Sequence, residues 1–142
     1  MLRRLVEQRE PGYQPSASEL PASVRRLLVA AGLEVVEEYV ITDAGGNFIA
    51  RVDFRLFGEW VVVEVEGRAV LIRRLEGRLG PLSKLDWQHD LDRRNALTAE
   101  GWAVIHATAD RVKNRPEEFL AEVDRARASQ ARLRRGRAGS SA

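Results

Sequence analysis

The sequence predicts an α/β fold, in which a mixed β-sheet (an antiparallel meander plus one parallel strand) is flanked by helices. Two observations predict it. Three successive strand patterns are separated by short turns, as in a meander. A helical pattern then separates the third strand from a fourth, and such a crossover makes those two strands parallel, with a right-handed connection. A chain of 142 residues is long enough for one such domain.

The first two elements are a helix and a strand. Apolar residues recur at helical spacing over Glu19–Ala31, and Gly32 ends the run. Ser18 is a candidate N-cap, and Pro21 suits the first turn of a helix. Leu33–Ile41 is rich in Val and Ile, which predicts the first strand.

A hairpin follows. The turn residues of Asp43–Asn47 lead into two strand patterns, Phe48–Phe57 and Trp60–Gly67. Gly58-Glu59 lies between them, and a Gly-X pair suits a two-residue turn with a positive φ at its first position. This turn predicts the register of the hairpin.

In that register Arg55 opposes Val62 and Asp53 opposes Glu64. Side chains alternate between the two faces of a strand. One face is therefore apolar, with Val52, Phe54, Leu56, Val61, Val63 and Val65, and the other carries Arg51, Asp53, Arg55, Glu64 and Glu66.

The second half of the chain adds helices and one strand. Arg68–Leu82 is predicted to be an irregular basic excursion, Ser83–Glu100 a helix, and Trp102–Thr108 a short strand. Pro116 is predicted to open a closing helix. Residues 1–16 are predicted to form a polar leader or linker, residues 17–127 the folded domain, and residues 128–142 a basic tail that frays.

Composition excludes several classes of function. There is no cysteine, which removes disulfides, thiolate metal sites and cysteine nucleophiles, and two histidines argue against structural zinc. No apolar run approaches the roughly 20 residues of a membrane span, and Met1–Glu10 lacks the apolar core of a signal peptide. We therefore expect a cytoplasmic protein without a membrane partner.

The acidic residues of the hairpin predict a metal site. Opposed Asp53 and Glu64 would have Cβ atoms roughly 5 Å apart, and like charges so placed are destabilising. A divalent cation would relieve the repulsion, since Mg²⁺ binds one or two carboxylates plus phosphate and water. The alternative is a charged sheet face on which the carboxylates pair with Arg51 and Arg55.

Other polar residues are candidates for contacts with phosphate. The helical segment Gln88–Asn95 carries suitable donors, and Arg68–Arg78 and Arg132–Arg137 are candidate DNA contacts. The alternative in each case is a solvated charged surface. His106 is interpreted as a core or sheet-edge histidine, and Trp102 as a core residue.

Four segments in order resemble a known family. They are Val52–Phe54, Val63–Gly67, Asp90–Leu97 and Gly101–Ile105. From about Ser16 to about Arg127 the chain resembles the DUF559 family, in the very-short-patch-repair-like branch of the PD-(D/E)XK endonuclease superfamily. The resemblance implies a restriction-endonuclease-like fold and a metal-dependent nuclease using Mg²⁺ or Mn²⁺.

The resemblance also implies roles for single residues. Asp53 and Glu64 take the first and second acidic positions and would hold the metal. Glu66 stands where this branch usually has Asp, and Glu19 where relatives carry a further acidic residue. The positions expected to bind substrate are Arg68, Asp90, Arg93 and Arg94.

Two departures from the family pattern keep a second hypothesis open. Glu66 is one methylene longer than Asp, and no histidine follows Gly67 within a few residues, where many relatives have one. The first hypothesis is an endonuclease that hydrolyses DNA phosphodiester bonds. The alternative is a degenerate nuclease fold that binds nucleic acid or a partner protein without cleavage. A third hypothesis is an accessory domain of a larger polypeptide, of the toxin–antitoxin or phage-defence kind.

Overall fold

A computed structural model describes residues 19–65 and 84–140. The leader, the basic excursion, Glu66 and Arg68 lie outside the described residues. The elements follow in the order α1 (Leu20–Ala30), β1 (Val35–Thr42), β2 (Phe48–Leu56), β3 (Val61–Val65), α2 (Lys84–Ala99), β4 (Ala103–Ala107), α3 (Ala109–Asn114) and α4 (Pro116–Ser140).

The sheet has the predicted topology. Its strand order is β1-β2-β3-β4; β2 is antiparallel to β1 and to β3, and β4 is parallel to β3. Gly58 has a φ of +73°, and Arg55 lies opposite Val62, as the turn predicts. The fold class is therefore α/β, with a mixed sheet flanked by helices.

One face of the sheet packs against α1 and α4. Leu20, Val24 and Leu28 of α1 are buried together with Phe119 and Val123 of α4. Their partners on the sheet are Phe54, Leu56, Val61, Val63, Ile105 and Ala107. This cluster is the larger apolar core, as the apolar side of the hairpin predicts.

A second cluster closes part of the opposite face. Leu97 of α2 and Trp102 pack with Val62, and none of these side chains is more than 7% exposed. Ile41, Ala50 and Val52 complete the cluster, although the alternation along the strand predicted Val52 to pack with Phe54 in the larger core. The face predicted to be polar is thus partly covered, which removes water from the polar side chains beside the cluster.

A short helix, α3, was not expected between β4 and the closing helix. The Thr108 hydroxyl accepts a hydrogen bond from the Arg111 amide (3.2 Å), and Asp110 lies in the first turn. Both features favour a helix start. The segment has only six residues, which is too short for a helical repeat of apolar residues to be recognised in the sequence.

The expected fraying of residues 128–142 is wrong for residues 128–140, because α4 continues to Ser140. The Arg134 guanidinium packs over the Trp60 ring at 3.9 Å from its centroid and donates to the Gly101 carbonyl (2.9 Å). These contacts attach the last turns of the helix to the domain.

Among the described helices, none is both long and apolar enough to cross a membrane.

Candidate functional site

Asp53 and Glu64 meet where the pairing of β2 with β3 ends. The regular pairing comprises Phe54–Val63 and Arg55–Val62. One residue further on, side chains replace the ladder: the Val65 amide donates to Asp53 Oδ2 (2.8 Å), and the Asp53 amide donates to Glu64 Oε2 (3.3 Å). Each carboxylate is therefore held by the backbone of the opposite strand.

Arg93 of α2 is the third member of this site. It forms an ion pair with Glu64 Oε1 and donates to the Arg51 carbonyl (2.7 Å). The Glu64 side chain is 7% exposed and that of Arg93 34% exposed. The residue predicted to bind substrate phosphate is thus bonded to a predicted metal ligand.

The electrostatics of Glu64 are dominated by its removal from water. Burial raises the pKa of Glu64 to about 7, and the neighbouring Asp53 acts in the same direction. Arg93 acts in the opposite direction, through its hydrogen bond and its charge. A carboxyl group of this kind gains or loses its proton near neutral pH.

His106 of β4 lies next to the site, although it was predicted to be a core or sheet-edge histidine with no role there. It lies opposite Glu64 in the parallel register, and its Nε2 is buried without a hydrogen-bond partner among the described residues. Burial lowers the pKa of His106, helped by the positive charges of Arg94 and Arg93, while Asp90 opposes them. A neutral imidazole is therefore favoured opposite Glu64, which with Asp53 forms the acidic pair of the site.

Asp90 and Arg94 form the exposed rim of the site on α2. Their side chains pair at 3.4 Å, and both are about half exposed. Their charges act on the pKa of His106 in opposite directions, Arg94 lowering it and Asp90 raising it. Of the three predicted substrate-binding residues of α2, Arg93 is the one that bonds to Glu64, while Asp90 and Arg94 bond to each other.

Glu19 does not join a metal-binding cluster in the described part of the chain. There, no group of three or more His, Asp or Glu residues is arranged to hold a metal ion. Glu19 is half-buried and precedes α1, where its carbonyl accepts from the Ser23 amide (3.0 Å). The structure therefore brings together two of the four predicted catalytic residues, and Glu66 is outside the described residues.

The charged-face alternative predicted the wrong arginine partners. Glu64 pairs with Arg93, while Arg55 donates to the Tyr39 hydroxyl (2.7 Å) and the Glu59 carbonyl (3.0 Å). Sequence reasoning missed this because the partner comes from a helix whose position over the sheet is not encoded in the hairpin.

Comparison with protein-family models, with curated proteins and with solved structures returned no match in any of the three searches.

Proposed function

We propose that this protein is a metal-dependent endonuclease that hydrolyses phosphodiester bonds in DNA, with Asp53 and Glu64 as ligands of Mg²⁺ or Mn²⁺. The observation that carries the proposal is the exchange of hydrogen bonds between these two residues and the opposite strands. It holds two acidic groups together in a partly buried place, an arrangement that costs stability unless positive charge offsets it, and Arg93 contacts only one of the two.

The two side chains suit a hard divalent cation. Mg²⁺ takes oxygen ligands and uses one or two carboxylates together with water and phosphate oxygens. When bound, such a cation supplies an activated water and neutralises charge on the scissile phosphate. Arg94 would contact a flanking phosphate, because its guanidinium lies at the exposed rim.

Cleavage of supercoiled plasmid and of single-stranded DNA, with Mg²⁺ or Mn²⁺, tests the proposal. We expect Asp53→Asn to abolish cleavage, because it removes a charged metal ligand of nearly the same shape. The matched control is Glu37→Gln, an exposed carboxylate on the neighbouring strand, which should cleave as the wild type does. Cleavage that persists in a folded Asp53→Asn protein would exclude this assignment.

The ion pair between Arg93 and Glu64 favours a second candidate, a nucleic-acid-binding module that does not cleave. The guanidinium already neutralises the carboxylate that a metal would need. On this hypothesis wild-type protein binds no Mg²⁺ or Mn²⁺, and Arg93→Met gains binding by freeing Glu64. Titration calorimetry of both proteins, with Arg26→Met as the control, distinguishes the candidates. Metal binding to the wild type supports the nuclease.

A further inference from the structure

A cavity of about 370 Å³ has no role in the proposed chemistry. Asp53 and Glu64 do not line it, but Arg55, two residues from Asp53 on β2, does. Three aromatic rings line it, those of Tyr39, Trp60 and Trp102. Arg55 and the carboxylate-bearing residues Asp43 and Glu100 also contribute to its wall. Its volume exceeds that of a single planar ring system, so a ligand of that kind can enter.

The aromatic wall is held in place by several contacts. The Arg55 guanidinium lies over the rings of Tyr39 and Trp102, at 4.7 and 4.8 Å from their centroids. Trp60 and Trp102 are 4.6 Å apart, centroid to centroid. Because Arg55 also donates to the Tyr39 hydroxyl and to the Glu59 carbonyl, the wall is ordered before a ligand arrives.

The chemistry of the wall favours a nucleobase over a phosphate. Bases of any sequence stack on aromatic rings and on guanidinium planes. Glu100 is exposed and negatively charged, which repels a phosphate but can accept hydrogen bonds from amino groups of a base. Asp43 is occupied, since its carboxylate accepts bonds from Gly45 and Asn47.

The cavity is also close enough to the acidic pair to share a ligand with it. Arg55 is two residues from Asp53 on the same face of β2, which corresponds to about 7 Å along the strand. Leu97, one turn beyond Arg93 on α2, packs in the same cluster as Trp102. A strand held at the acidic pair can therefore place a nearby base at the cavity.

We propose that this cavity binds an unpaired base of a DNA strand, near the phosphate held at Asp53 and Glu64. The proposal rests on the proposed function in taking the ligand to be DNA. It makes single-stranded or locally unpaired DNA the preferred substrate, because a base within an intact duplex cannot enter the cavity.

Fluorescence anisotropy of a labelled single strand, measured in EDTA so that no cleavage occurs, tests the cavity. Each base is removed in turn by an abasic substitution. We expect one position at which base loss weakens binding to the wild type about tenfold. The intact strand should lose about the same affinity with Tyr39→Leu, which removes the ring and leaves a smaller apolar side chain.

The decisive comparison combines the two changes. In Tyr39→Leu the abasic strand should bind no worse than the intact strand, because the contact is already lost. The matched control is Phe57→Leu, an exposed ring at the end of the hairpin outside the cavity, which should retain the full abasic effect. An equal abasic effect in Tyr39→Leu and wild type overturns the proposal, as does failure to bind single-stranded DNA.

A second readout needs no variant. A strand with 2-aminopurine at the sensitive position should lose fluorescence on binding, through stacking on the aromatic wall; unchanged emission overturns the proposal. Cleavage is measured separately with metal. If abasic substitution weakens binding but no DNA is cleaved, the nuclease function is contradicted and the assignment of the cavity to a base is supported. If metal-dependent cleavage occurs but abasic substitution does not weaken binding, the nuclease function is supported and the assignment of the cavity is contradicted.

Discussion

At the scale of single residues, Glu64 has opposing influences on its charge. Burial and Asp53 favour the protonated carboxyl group, while Arg93 favours the carboxylate. Because the pKa in the folded protein, about 7, is above the ordinary value of 4.5, the folded state binds this proton more tightly than the unfolded state does. The contribution of Glu64 to stability is therefore fully present below pH 4.5 and is lost as pH rises to 7.

We predict that Glu64→Gln removes this pH dependence, because an amide does not titrate. Between pH 4.5 and pH 8 the wild type should lose about 3 kcal/mol of unfolding free energy relative to the variant. The measurement is urea denaturation in EDTA at several pH values. His106, whose lowered pKa has the opposite effect, is present in both proteins and largely cancels in the comparison.

Glu117→Gln is the control for that experiment, since Glu117 is exposed in the first turn of α4. Its stability should follow the wild type across the pH range. Parallel curves for wild type and Glu64→Gln would show that Glu64 titrates normally, and would contradict the effect of burial.

At the scale of elements, the end of α4 depends on one arginine. Arg134 contacts the Trp60 ring and the Gly101 carbonyl, whereas the adjacent Arg135 is exposed. We predict that Arg134→Ala lowers the free energy of unfolding by about 2 kcal/mol, by loss of a cation–π contact and a hydrogen bond. Arg135→Ala should change it by less than about 0.5 kcal/mol.

Denaturation followed by far-ultraviolet circular dichroism measures both variants. Equal stabilities would mean that the last turns of α4 are not attached to the domain through Arg134. The sequence could not predict this attachment. The last residues of a domain are usually poorly ordered unless other elements hold them, and the stabilising ring and carbonyl lie in distant parts of the chain.

Local signals explain which elements were predictable. The Gly58 turn and the alternation of the strands specify the hairpin register, so the opposition of Asp53 and Glu64 follows from the sequence. The registry of β4 against β3 is set by a crossover helix and by core packing. For that reason the sequence could not predict that His106 lies opposite Glu64. Nor could it predict that Arg93 is the ion-pair partner of Glu64.

At the scale of the whole molecule, charge is nearly balanced, with 23 basic and 21 acidic side chains. A net charge of +2 provides little long-range attraction for DNA, so binding depends on where the arginines lie. Those of α2 lie on one side of the sheet, and α1 covers the other. We expect DNA to bind on the α2 side.

Arg94→Ala tests this orientation. The slope of log affinity against log salt concentration should decrease in magnitude by about 0.7 for single-stranded DNA if one phosphate contact is lost. Arg26→Ala, an exposed arginine on α1, should leave the slope unchanged. If the slope changed with Arg26→Ala and not with Arg94→Ala, DNA would be assigned to the α1 side of the sheet instead.

The hydrogen bond from the Val65 amide to Asp53 has a spectroscopic consequence. An amide bonded to a carboxylate rather than to a ladder carbonyl has a proton resonance that responds to the charge of that carboxylate. In a proton–nitrogen correlation spectrum, the Val65 signal should shift on addition of Mg²⁺ if Asp53 binds it, and should shift in Asp53→Asn without metal. The backbone thus carries its own reporter of cation binding, which can be recorded without a nucleic acid.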